Sequence, residues 1–469
     1  DAKAPDSAQK TANMIVTTIP TNATAPRKVA VILPGKKYAG LIGTDSQFAY
    51  HLLDEPTYSL LDPFGFDADV FVEDAIEYCR KNEIEGVFGF DCFPSMLASI
   101  VNQSLKLKGP SFQSVFLCLN KFYMRQCFSP DMAVTKFDPH TTVEPPKDFP
   151  VVVKHSDTQF YVGTWLLNSL ADWEKLLKEL QTRFTREYLD RRKKFYAKWH
   201  KAFGQKELAE NWNDIVLFHV EPHLQGREHQ VEVVVEENDV LIADTGDMIK
   251  TGDVLVMFVT PGSFELPKEW VHDIVFKLRD LGYRNQAMDV EFMFTDSGPQ
   301  LVEINSRYSY MGWSSFFEHR CEEGNSSLDH KPDLRNLENR TLSCLGDAPT
   351  RFPCDEVISK LAIMMYTQKT GAIKDIMNVD FLEAQVKSGS VEAWAPKLPY
   401  LKGSVTEDDL RYPGGWAKLG CLLMTARRQD FEATNARIAE FQKNLFYSDS
   451  YILAQDDEIG YAVDKYAIQ

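Results

Sequence analysis

Two short apolar segments, separated by a turn-forming sequence, place several polar side chains on one surface of a predicted β-hairpin. The segments are MDVEFMF and QLVEINSR, and Thr-Asp-Ser-Gly-Pro joins them, which is typical of two paired strands. Because side chains two residues apart share one face of a strand, Asp289 and Glu291 point the same way. Glu303, Asn305 and Arg307 share a face of the second strand for the same reason.

This oxygen-rich surface predicts a magnesium site. Carboxylates and a carboxamide form an oxygen-only ligand set, which suits Mg²⁺ better than zinc or iron. The alternative is a solvated sheet face, but the residues that flank these carboxylates are apolar, which is unusual in an exposed sheet. Carboxylates buried there without a cation would carry a large desolvation cost.

The composition predicts a folded, acidic protein of several domains. The chain has 469 residues, which exceeds the usual length of a single core. A hydrophobic content of 44% and an aromatic content of 12% indicate a folded chain. The net charge of −17 argues against general binding to DNA, RNA or anionic membranes. It does not exclude ATP, because a nucleotide site needs only local cations.

The ends and the cysteines of the sequence predict a cytoplasmic protein. The opening DAKAPDSAQKTAN lacks a basic stretch followed by an apolar one, so we expect no signal peptide. No apolar run approaches the roughly 18 residues of a membrane span. The eight cysteines are scattered and form no CxxC motif, which favours reduced thiols.

The first quarter of the chain predicts a small parallel α/β domain over 28–118. Residues 1–27 are polar and predict a loose arm. Buried strands are predicted at 28–35, 69–72 and 85–91, and helical segments follow the last two. Alternation of strands and helices is typical of a parallel sheet.

The hairpin, taken with the segments before it, resembles the ATP-grasp superfamily, and within it the carboxylate–amine (amino-acid) ligases. Members carry a glutamate and then Glu-x-Asn-x-Arg, as Glu291 and the segment Glu303–Arg307 do here. The resemblance implies that Glu291, Glu303 and Asn305 hold Mg²⁺ or Mn²⁺. It also implies that Arg307 stabilises the transferred phosphoryl group. The match covers about residues 28–445 and is strongest over 119–310.

Two lysines precede the hairpin in positions that the resemblance assigns to phosphate binding. Lys121 opens a helical segment after Gly-Pro-Ser, and Lys154 ends the apolar strand Phe149–Lys154. A lysine in a buried strand needs an anionic partner. The resemblance supplies the ATP phosphates for both lysines. For Lys121 alone, a solvated helix residue is the simpler alternative.

A hinge between two predicted strands, IVLFHV and HQVEVVV, matches the family's adenine-binding segment. The resemblance implies that Glu221 accepts a hydrogen bond from the adenine N6 amine. The backbone near His223 and Leu224 would bind the adenine edge, with His223 as a wall of the pocket. Glu228 would bind the ribose hydroxyls. The alternative is an ordinary turn with incidental glutamates.

The segment at 155–163, here called the lid loop, departs from the family pattern. Many members have a glycine-rich phosphate loop in this position, whereas HSDTQFYVG contains one glycine. Ser156 and Thr158 offer hydroxyl and backbone donors to phosphate. Phe160 and Tyr161 make the loop bulkier and less tolerant of unusual dihedral angles.

A basic helical stretch at 171–212 has two interpretations. Its arginines and lysines outnumber the nearby acids, which indicates either a solvated helix of the lid or a docking surface for a phosphate-rich partner. Farther on, 336–469 predicts a carboxy-terminal subdomain and tail with one helix at Val357–Tyr366 and a final helix at Phe431–Phe446.

The resulting prediction is an α/β (α+β) ATP-grasp fold. Its parts are an arm at 1–27, an α/β domain at 28–118, an ATP-grasp domain at 119–335 with a lid near 150–220, and the carboxy-terminal subdomain. The metal-binding antiparallel sheet lies in the ATP-grasp domain.

The resemblance implies a ligase that converts a carboxylate into an acyl-phosphate with ATP and Mg²⁺ and joins it to an amine, releasing ADP and phosphate. The expected partners are small molecules, without nucleic acid or membrane, and a homodimer through the α/β domain is a common arrangement. Two alternatives stay open. One is activation of an enol, a ketone or another oxygen nucleophile before amino-acid attachment, and the other is a non-catalytic nucleotide-binding protein.

Overall fold

The computed structural model describes residues 14–34, 47–308, 340–347 and most of 358–447. Inside these ranges it leaves out 20, 22, 60–63, 142, 159–162, 206–209, 252–253, 261, 263, 389–392, 397–401, 408–409, 411–416, 428–437, 439 and 442. Phe160, Tyr161 and the first half of the predicted arm therefore lie outside the described residues. Among the residues that are described, no helix is both long and apolar enough to span a membrane.

An amino-terminal α/β unit is built on a four-stranded sheet. Its strands are β1 (Ile15–Ile19), β2 (Arg27–Ile32), β3 (Phe48–Asp54) and β4 (Gly86–Gly89), arranged in space as β1-β3-β2-β4. β2 pairs in parallel with β3 and β4, whereas β1 joins β3 antiparallel at the edge. Helices α1 (Ala68–Lys81) and α2 (Cys92–Leu105) share one hydrophobic core with this sheet. The centre of the sheet is parallel, as the alternation of strands and helices predicted.

Two predictions for this unit were wrong. Residues 69–72 are helical, because Asp67 caps the start of α1 by accepting a hydrogen bond from the Val70 N–H. Phe71, Val72 and Ala75 then form the buried side of that helix, and a short apolar run does not distinguish helix from strand. Part of the predicted loose arm forms the edge strand β1.

Two short helices lead into the rest of the chain. They are α3 (Phe112–Leu119) and α4 (Lys121–Phe128). Asn120 separates them, and its side chain accepts a hydrogen bond from the Tyr123 N–H as the N-cap of α4. Because an N-cap asparagine satisfies a free N–H of the first turn, Lys121 begins a helix, as predicted.

A second sheet, in and next to the segment predicted to be the lid, has four antiparallel strands. The strands are β5 (Thr135–Phe137), β6 (Val151–His155), β7 (Thr164–Leu167) and β8 (Phe218–Pro222), in the order β5-β8-β6-β7. Between β7 and β8 lie α5 (Leu170–Arg183), α6 (Arg186–Ala202) and a short 3₁₀ helix (Trp212–Asp214). Among its described residues, the predicted helical stretch therefore contains two separate helices, α5 and α6, rather than one.

The interpretation of this basic stretch as a solvated helix was wrong for α6. Leu189, Phe195, Tyr196 and Trp199 are buried on one side of it. Arg192 is also buried, at 1% exposure. Aromatic residues at helical spacing bury the helix, although the charges between them suggest a surface.

A long antiparallel sheet forms the centre of the molecule. In chain order its strands are β9 (Arg227–Val235), β10 (Val240–Thr251), β11 (Val254–Thr260), β12 (Gln286–Thr295), β13 (Gly298–Asn305), β14 (Ile358–Thr367), β16 (Ala393–Pro396) and β18 (Ala417–Arg427). Their order in space is β13-β12-β9-β10-β11-β14-β18-β16. Helix α7 (Lys268–Asp280) packs with its buried face in the same core as β12 and β13. The predicted hairpin is the β12–β13 edge of this sheet.

The carboxy-terminal elements extend the central sheet. Strands β15 (Gly371–Ala372) and β17 (Ser404–Val405) pair separately, beside α8 (Ile373–Ile376) and α9 (Val379–Lys387). The helix predicted at Val357–Tyr366 was wrong, because this run is β14 and pairs with β11 and β18. Central strands are apolar on both faces and resemble buried helices in sequence. The described residues of the final predicted helix are helical at 438, 440–441 and 443–445.

Candidate active site

The β12–β13 hairpin brings the three predicted metal ligands together. Glu291 lies opposite Glu303, and Asp289 lies opposite Asn305. Residues that face each other across an antiparallel pair share one surface of the sheet. The Asn305 Nδ2 donates to Glu291 Oε1 at 3.0 Å and to Glu303 Oε1 at 3.1 Å. Two carboxylates and a carboxamide therefore form one contiguous group.

The pKa values of Glu291 and Glu303 are shifted in opposite directions. Burial, together with the negative charges of Glu303 and Asp289, raises the pKa of Glu291 well above its usual range. Burial acts on Glu303 in the same direction, but the nearby Lys121 ammonium outweighs it and lowers the pKa of Glu303 to about 2. The hairpin thus concentrates carboxylates whose mutual repulsion a cation would relieve.

The residues at the hairpin fit Mg²⁺. The Glu303 side chain is 21% exposed, so a ligand can reach it. A half-turn of the Asn305 amide exchanges Nδ2 for Oδ1 and supplies a third oxygen ligand. No cluster of three or more His, Cys, Asp or Glu side chains suited to a metal occurs in the described part of the chain. Mg²⁺ is commonly bound through one or two protein carboxylates, and phosphate oxygens and water molecules supply its remaining ligands.

Lys121 lies directly beside this group. Its Nζ is 3.0 Å from Glu303 Oε2 and donates to the Thr158 carbonyl oxygen at 2.8 Å. The residue is buried, with 6% exposure. The alternative of a solvated surface lysine is therefore wrong, because the side chain is buried and its ammonium pairs with Glu303 and the Thr158 carbonyl group.

Lys154 is buried on β6 and has the anionic partner that its position requires. Its Nζ lies 2.6 Å from Glu221 Oε1. Burial lowers the pKa of Lys154, and the Glu221 carboxylate opposes that change. Burial alone would raise the pKa of Glu221, but Arg125 and Lys154 hold it well below its usual range. Glu221 is thus an ionised carboxylate in the interior.

The hinge between β8 and β9 carries the remaining predicted nucleotide contacts. His223 and Leu224 are half-buried there. The His223 Nδ1 is buried without a hydrogen-bond partner among the residues the structure describes. Glu228, at the start of β9, is buried and forms an ion pair with Lys250 of β10.

Arg307 lies just beyond β13 and is buried. Its Nη1 donates to Asp289 Oδ2 at 3.1 Å, and its backbone N–H donates to the Asn305 carbonyl oxygen at 2.8 Å. Burial raises the pKa of Asp289 to about 7, although the Arg307 charge acts in the opposite direction. The guanidinium is therefore held at the Asp289–Asn305 pair of the hairpin, which is next to the Glu291–Glu303 pair on the same face.

Comparison with known proteins gives a structural likeness only. No protein-family model and no curated protein matches the sequence. The structure of an L-amino acid ligase from Bacillus licheniformis matches with a TM-score of 0.61 and 12% identity, over 91% of this chain and 100% of that one. A carboxyaminoimidazole ribonucleotide synthase from Aspergillus clavatus, complexed with ATP, gives 0.55 and 13%, over 89% and 98%.

A phosphoribosylglycinamide synthetase from Anaerococcus prevotii matches over 91% of this chain and 100% of that chain, with a TM-score of 0.52 and 14% identity. These neighbours are proteins of the ATP-grasp fold. The chain has the ATP-grasp fold. At identities this low the likeness establishes the architecture, and the roles of individual residues depend on the geometry of the site.

Arg125 is a residue of this candidate site that the sequence prediction missed. It is fully buried, and its Nε and Nη2 donate to the two Glu221 oxygens at 2.8 and 3.2 Å. It also donates to the carbonyl oxygens of Leu301 and Val302 on β13. Arg125 therefore joins α4, β8 and the β12–β13 hairpin. The available signal was its position one helical turn after Lys121.

Lys250 and Asp157 were missed as well. Lys250 follows a register shift in β10 that lies at Ile249–Lys250, and no sequence pattern predicts which glutamate such a lysine meets. Asp157 stands in the lid loop and is 2% exposed. A short acidic residue in a polar loop ordinarily predicts a turn, so its burial depends on tertiary packing.

Proposed function

We propose that this ATP-grasp protein is an ATP- and Mg²⁺-dependent ligase that activates a carboxylate as an acyl-phosphate and joins it to an amine. An amino acid is the expected amine. The observation that carries the proposal is the 3.0 Å contact between Lys121 and Glu303. This contact supports the proposal because phosphoryl transfer needs a cation for the phosphates and a carboxylate for the metal in one place, and Lys121 and Glu303 are proposed for these two roles.

The buried lysines and the metal hairpin account for binding of the triphosphate. Lys121 and Lys154 are proposed to contact phosphate oxygens, and Glu291, Glu303 and Asn305 to hold the metal. When bound, Mg²⁺ neutralises charge that develops on the phosphates. In the structure the Lys121 ammonium and the Glu303 carboxylate pair with each other. In the nucleotide complex the ammonium would pair with a phosphate and the carboxylate with the metal.

The hinge is the proposed nucleoside site. His223 Nδ1, a buried atom without a partner among the described residues, supports a polar ligand at this point, because buried polar atoms normally form hydrogen bonds. His223 and Leu224 would line the adenine pocket, and Glu221 would accept from the N6 amine. Glu228 would bind the ribose hydroxyls. Glu221 also holds Lys154 in place, since its carboxylate already contacts that ammonium.

The chemical steps use few protein groups. A carboxylate oxygen of the substrate attacks the γ-phosphorus of ATP, the bond to ADP breaks, and an acyl-phosphate forms. The amine then attacks the acyl carbon, phosphate leaves, and the amine nitrogen loses a proton. Arg307 is proposed to stabilise negative charge on the transferred phosphoryl group, because a preorganised guanidinium inside a protein acts more strongly than one in water.

The structural neighbours support this reaction class. One is an L-amino acid ligase, and another was crystallised with ATP. Those properties belong to those proteins. For this chain they favour the ligase over a non-catalytic nucleotide-binding protein, as does the clustering of carboxylates at the hairpin, which a scaffold does not need.

Nucleotide product analysis tests the proposal. The purified protein is incubated with Mg²⁺ and ATP together with pools of amino acids and small carboxylic acids, and Glu303→Gln protein serves as the control for contaminating ATPases. We expect ADP and phosphate with particular pools. AMP and pyrophosphate would contradict the acyl-phosphate route. ATP binding without hydrolysis in any pool would favour the non-catalytic alternative.

A further inference from the structure

The start of the lid loop surrounds Lys121 from two sides. Ser156, Asp157 and Thr158 follow β6 and are all buried. The Lys121 backbone N–H donates to the Ser156 carbonyl oxygen at 2.7 Å, and the Lys121 Nζ donates to the Thr158 carbonyl oxygen at 2.8 Å. The two carbonyl groups on either side of Asp157 therefore hold both ends of this lysine.

The carboxylate of Asp157 is held from outside the loop. Arg192 Nη2 donates to Asp157 Oδ1 at 2.6 Å, and the Tyr196 hydroxyl donates to Oδ2 at 2.5 Å. His155 Nδ1 lies 2.8 Å from Oδ1. All of these side chains are buried. Both oxygens thus have short contacts, and two of the donors come from the same side of helix α6.

Arg192 is itself fixed in place. Its guanidinium lies over the Phe64 ring, 4.6 Å from the centroid, and donates to the Tyr188 hydroxyl at 2.8 Å. Phe64 belongs to the amino-terminal unit, whereas Tyr188 lies one turn earlier in α6. A guanidinium held between aromatic groups loses little further freedom when it pairs with a carboxylate. The clamp on Asp157 is therefore rigid.

The other end of the lid loop closes onto the same residues. Gly163 accepts a hydrogen bond from the His155 N–H at 2.6 Å. Its φ is +80°, and a Cβ at this position would lie 2.7 Å from the His155 Cβ and 2.8 Å from Thr158 Oγ1. A side chain at position 163 would therefore clash with His155 and Thr158, so this position requires glycine. The hydrogen bonds described above hold the segment at 156–158 in place.

We propose that Asp157 is a positioning residue that acts through Lys121. Arg192 and Tyr196 clamp its carboxylate, the clamp fixes the neighbouring carbonyl groups, and these hold the Lys121 ammonium beside Glu303. The inference rests on the proposed function, in which Lys121 binds a phosphate of ATP. It also assigns a role to the basic helix α6, whose buried Arg192 organises the site.

Binding of MgATP tests the inference by calorimetry. Asp157→Asn weakens the clamp with little change of shape, and we expect affinity to fall about tenfold, the value of one charged hydrogen bond. Tyr196→Phe keeps the ring and should have a smaller effect in the same direction. Leu189→Ala is the matched control, because it removes buried volume from α6 and leaves the polar clamp intact. It should lower thermal stability and keep wild-type affinity.

A double-mutant cycle separates positioning from a general structural role. If Asp157 acts through Lys121, then Asp157→Asn should have almost no further effect on MgATP affinity in a Lys121→Met background. Equal effects in both backgrounds would overturn the inference. The inference would also be overturned if Asp157→Asn and Tyr196→Phe lowered thermal stability as much as Leu189→Ala does but bound MgATP with wild-type affinity.

Chemical labelling gives a readout that does not depend on nucleotide binding. The Lys121 ammonium is buried between the Thr158 carbonyl oxygen and the Glu303 carboxylate, so acetic anhydride should acetylate it slowly in the wild type. We expect severalfold faster labelling of Lys121 in Asp157→Asn, measured by peptide mass spectrometry, and no change in Leu189→Ala. Equal labelling in all three proteins would overturn the positioning role. A wild type that binds no nucleotide would instead overturn the proposed function.

Discussion

The Lys121 ammonium and the Glu303 carboxylate lie 3.0 Å apart, although 182 positions separate them in the chain (303 − 121). One begins helix α4 and the other lies on β13, so the contact joins the amino-terminal helices to the edge of the central sheet. It also joins the parts of the candidate site that are proposed to bind phosphate and metal.

Replacement of Glu303 by glutamine should remove most of the turnover and leave the fold intact. The amide keeps the size of the side chain but loses the charge that a metal and Lys121 need. Loss of one preorganised electrostatic group typically lowers the rate by about 10²–10³-fold. Steady-state ADP formation over a Mg²⁺ titration, with circular dichroism as the check on folding, measures this. Glu269→Gln, an exposed change on α7, should be silent.

Replacement of Arg307 by alanine should lower kcat more than it raises KM for ATP. The guanidinium is proposed to act on charge that develops during transfer, and interactions made only in the transition state appear in kcat. Arg307→Lys keeps the charge and should recover part of the rate. Full activity of the alanine variant in the same ADP assay would remove Arg307 from the mechanism.

Removal of the Arg125 side chain charge should destabilise the protein strongly. Arg125→Met leaves Glu221 with fewer partners and leaves two β13 carbonyl groups without their donor, and breaking a buried pair costs about 3–5 kcal/mol. Urea unfolding measures the loss. Arg27→Met is the control, because its partner Glu85 is 44% exposed and such pairs contribute about 1 kcal/mol or less. Equal effects of the two changes would contradict the prediction.

The free energy of unfolding should fall as the pH is lowered from about 6.5 to about 4. Burial lowers the pKa of His155 from 6.5 to about 4, with Arg192 adding to the shift and Asp157 opposing it. Burial also lowers the pKa of His200 to about 4, against its hydrogen bond to Gln205. In this window the unfolded chain binds protons that the folded chain does not, so stability is lost on acidification.

Each histidine should contribute about 3 kcal/mol to that loss, since one pKa unit corresponds to about 1.4 kcal/mol. Above pH 6.5 neither histidine changes stability with pH, and below pH 4 both are charged in the two states. Urea unfolding between pH 7.5 and 4 measures the slope. His200→Gln should make the slope shallower, and an unchanged slope would show that His200 does not titrate this way.

Several features of the fold and site followed from local patterns. The hairpin with Glu291, Glu303 and Asn305 was predicted because strand alternation assigns side chains to faces without knowledge of neighbours. The resemblance implied that Lys121 begins a helix, and the apolar run that ends at Lys154 predicted a buried strand there. Errors fell on apolar runs of ambiguous period, at 69–72 and at Val357–Tyr366, where pairing partners decide between helix and strand.

The sequence by itself determined the hairpin and the side chains that share its face, because periodicity and residue type are local properties, and its resemblance to the ATP-grasp superfamily implied the fold. Only the tertiary structure decided which charges meet. Arg125 reaches Glu221, Lys250 reaches Glu228, and Arg192 reaches Asp157 through contacts between segments far apart in the chain. A buried charge is stable only beside its partner, and the partner is chosen by the packing of helices and sheets in three dimensions.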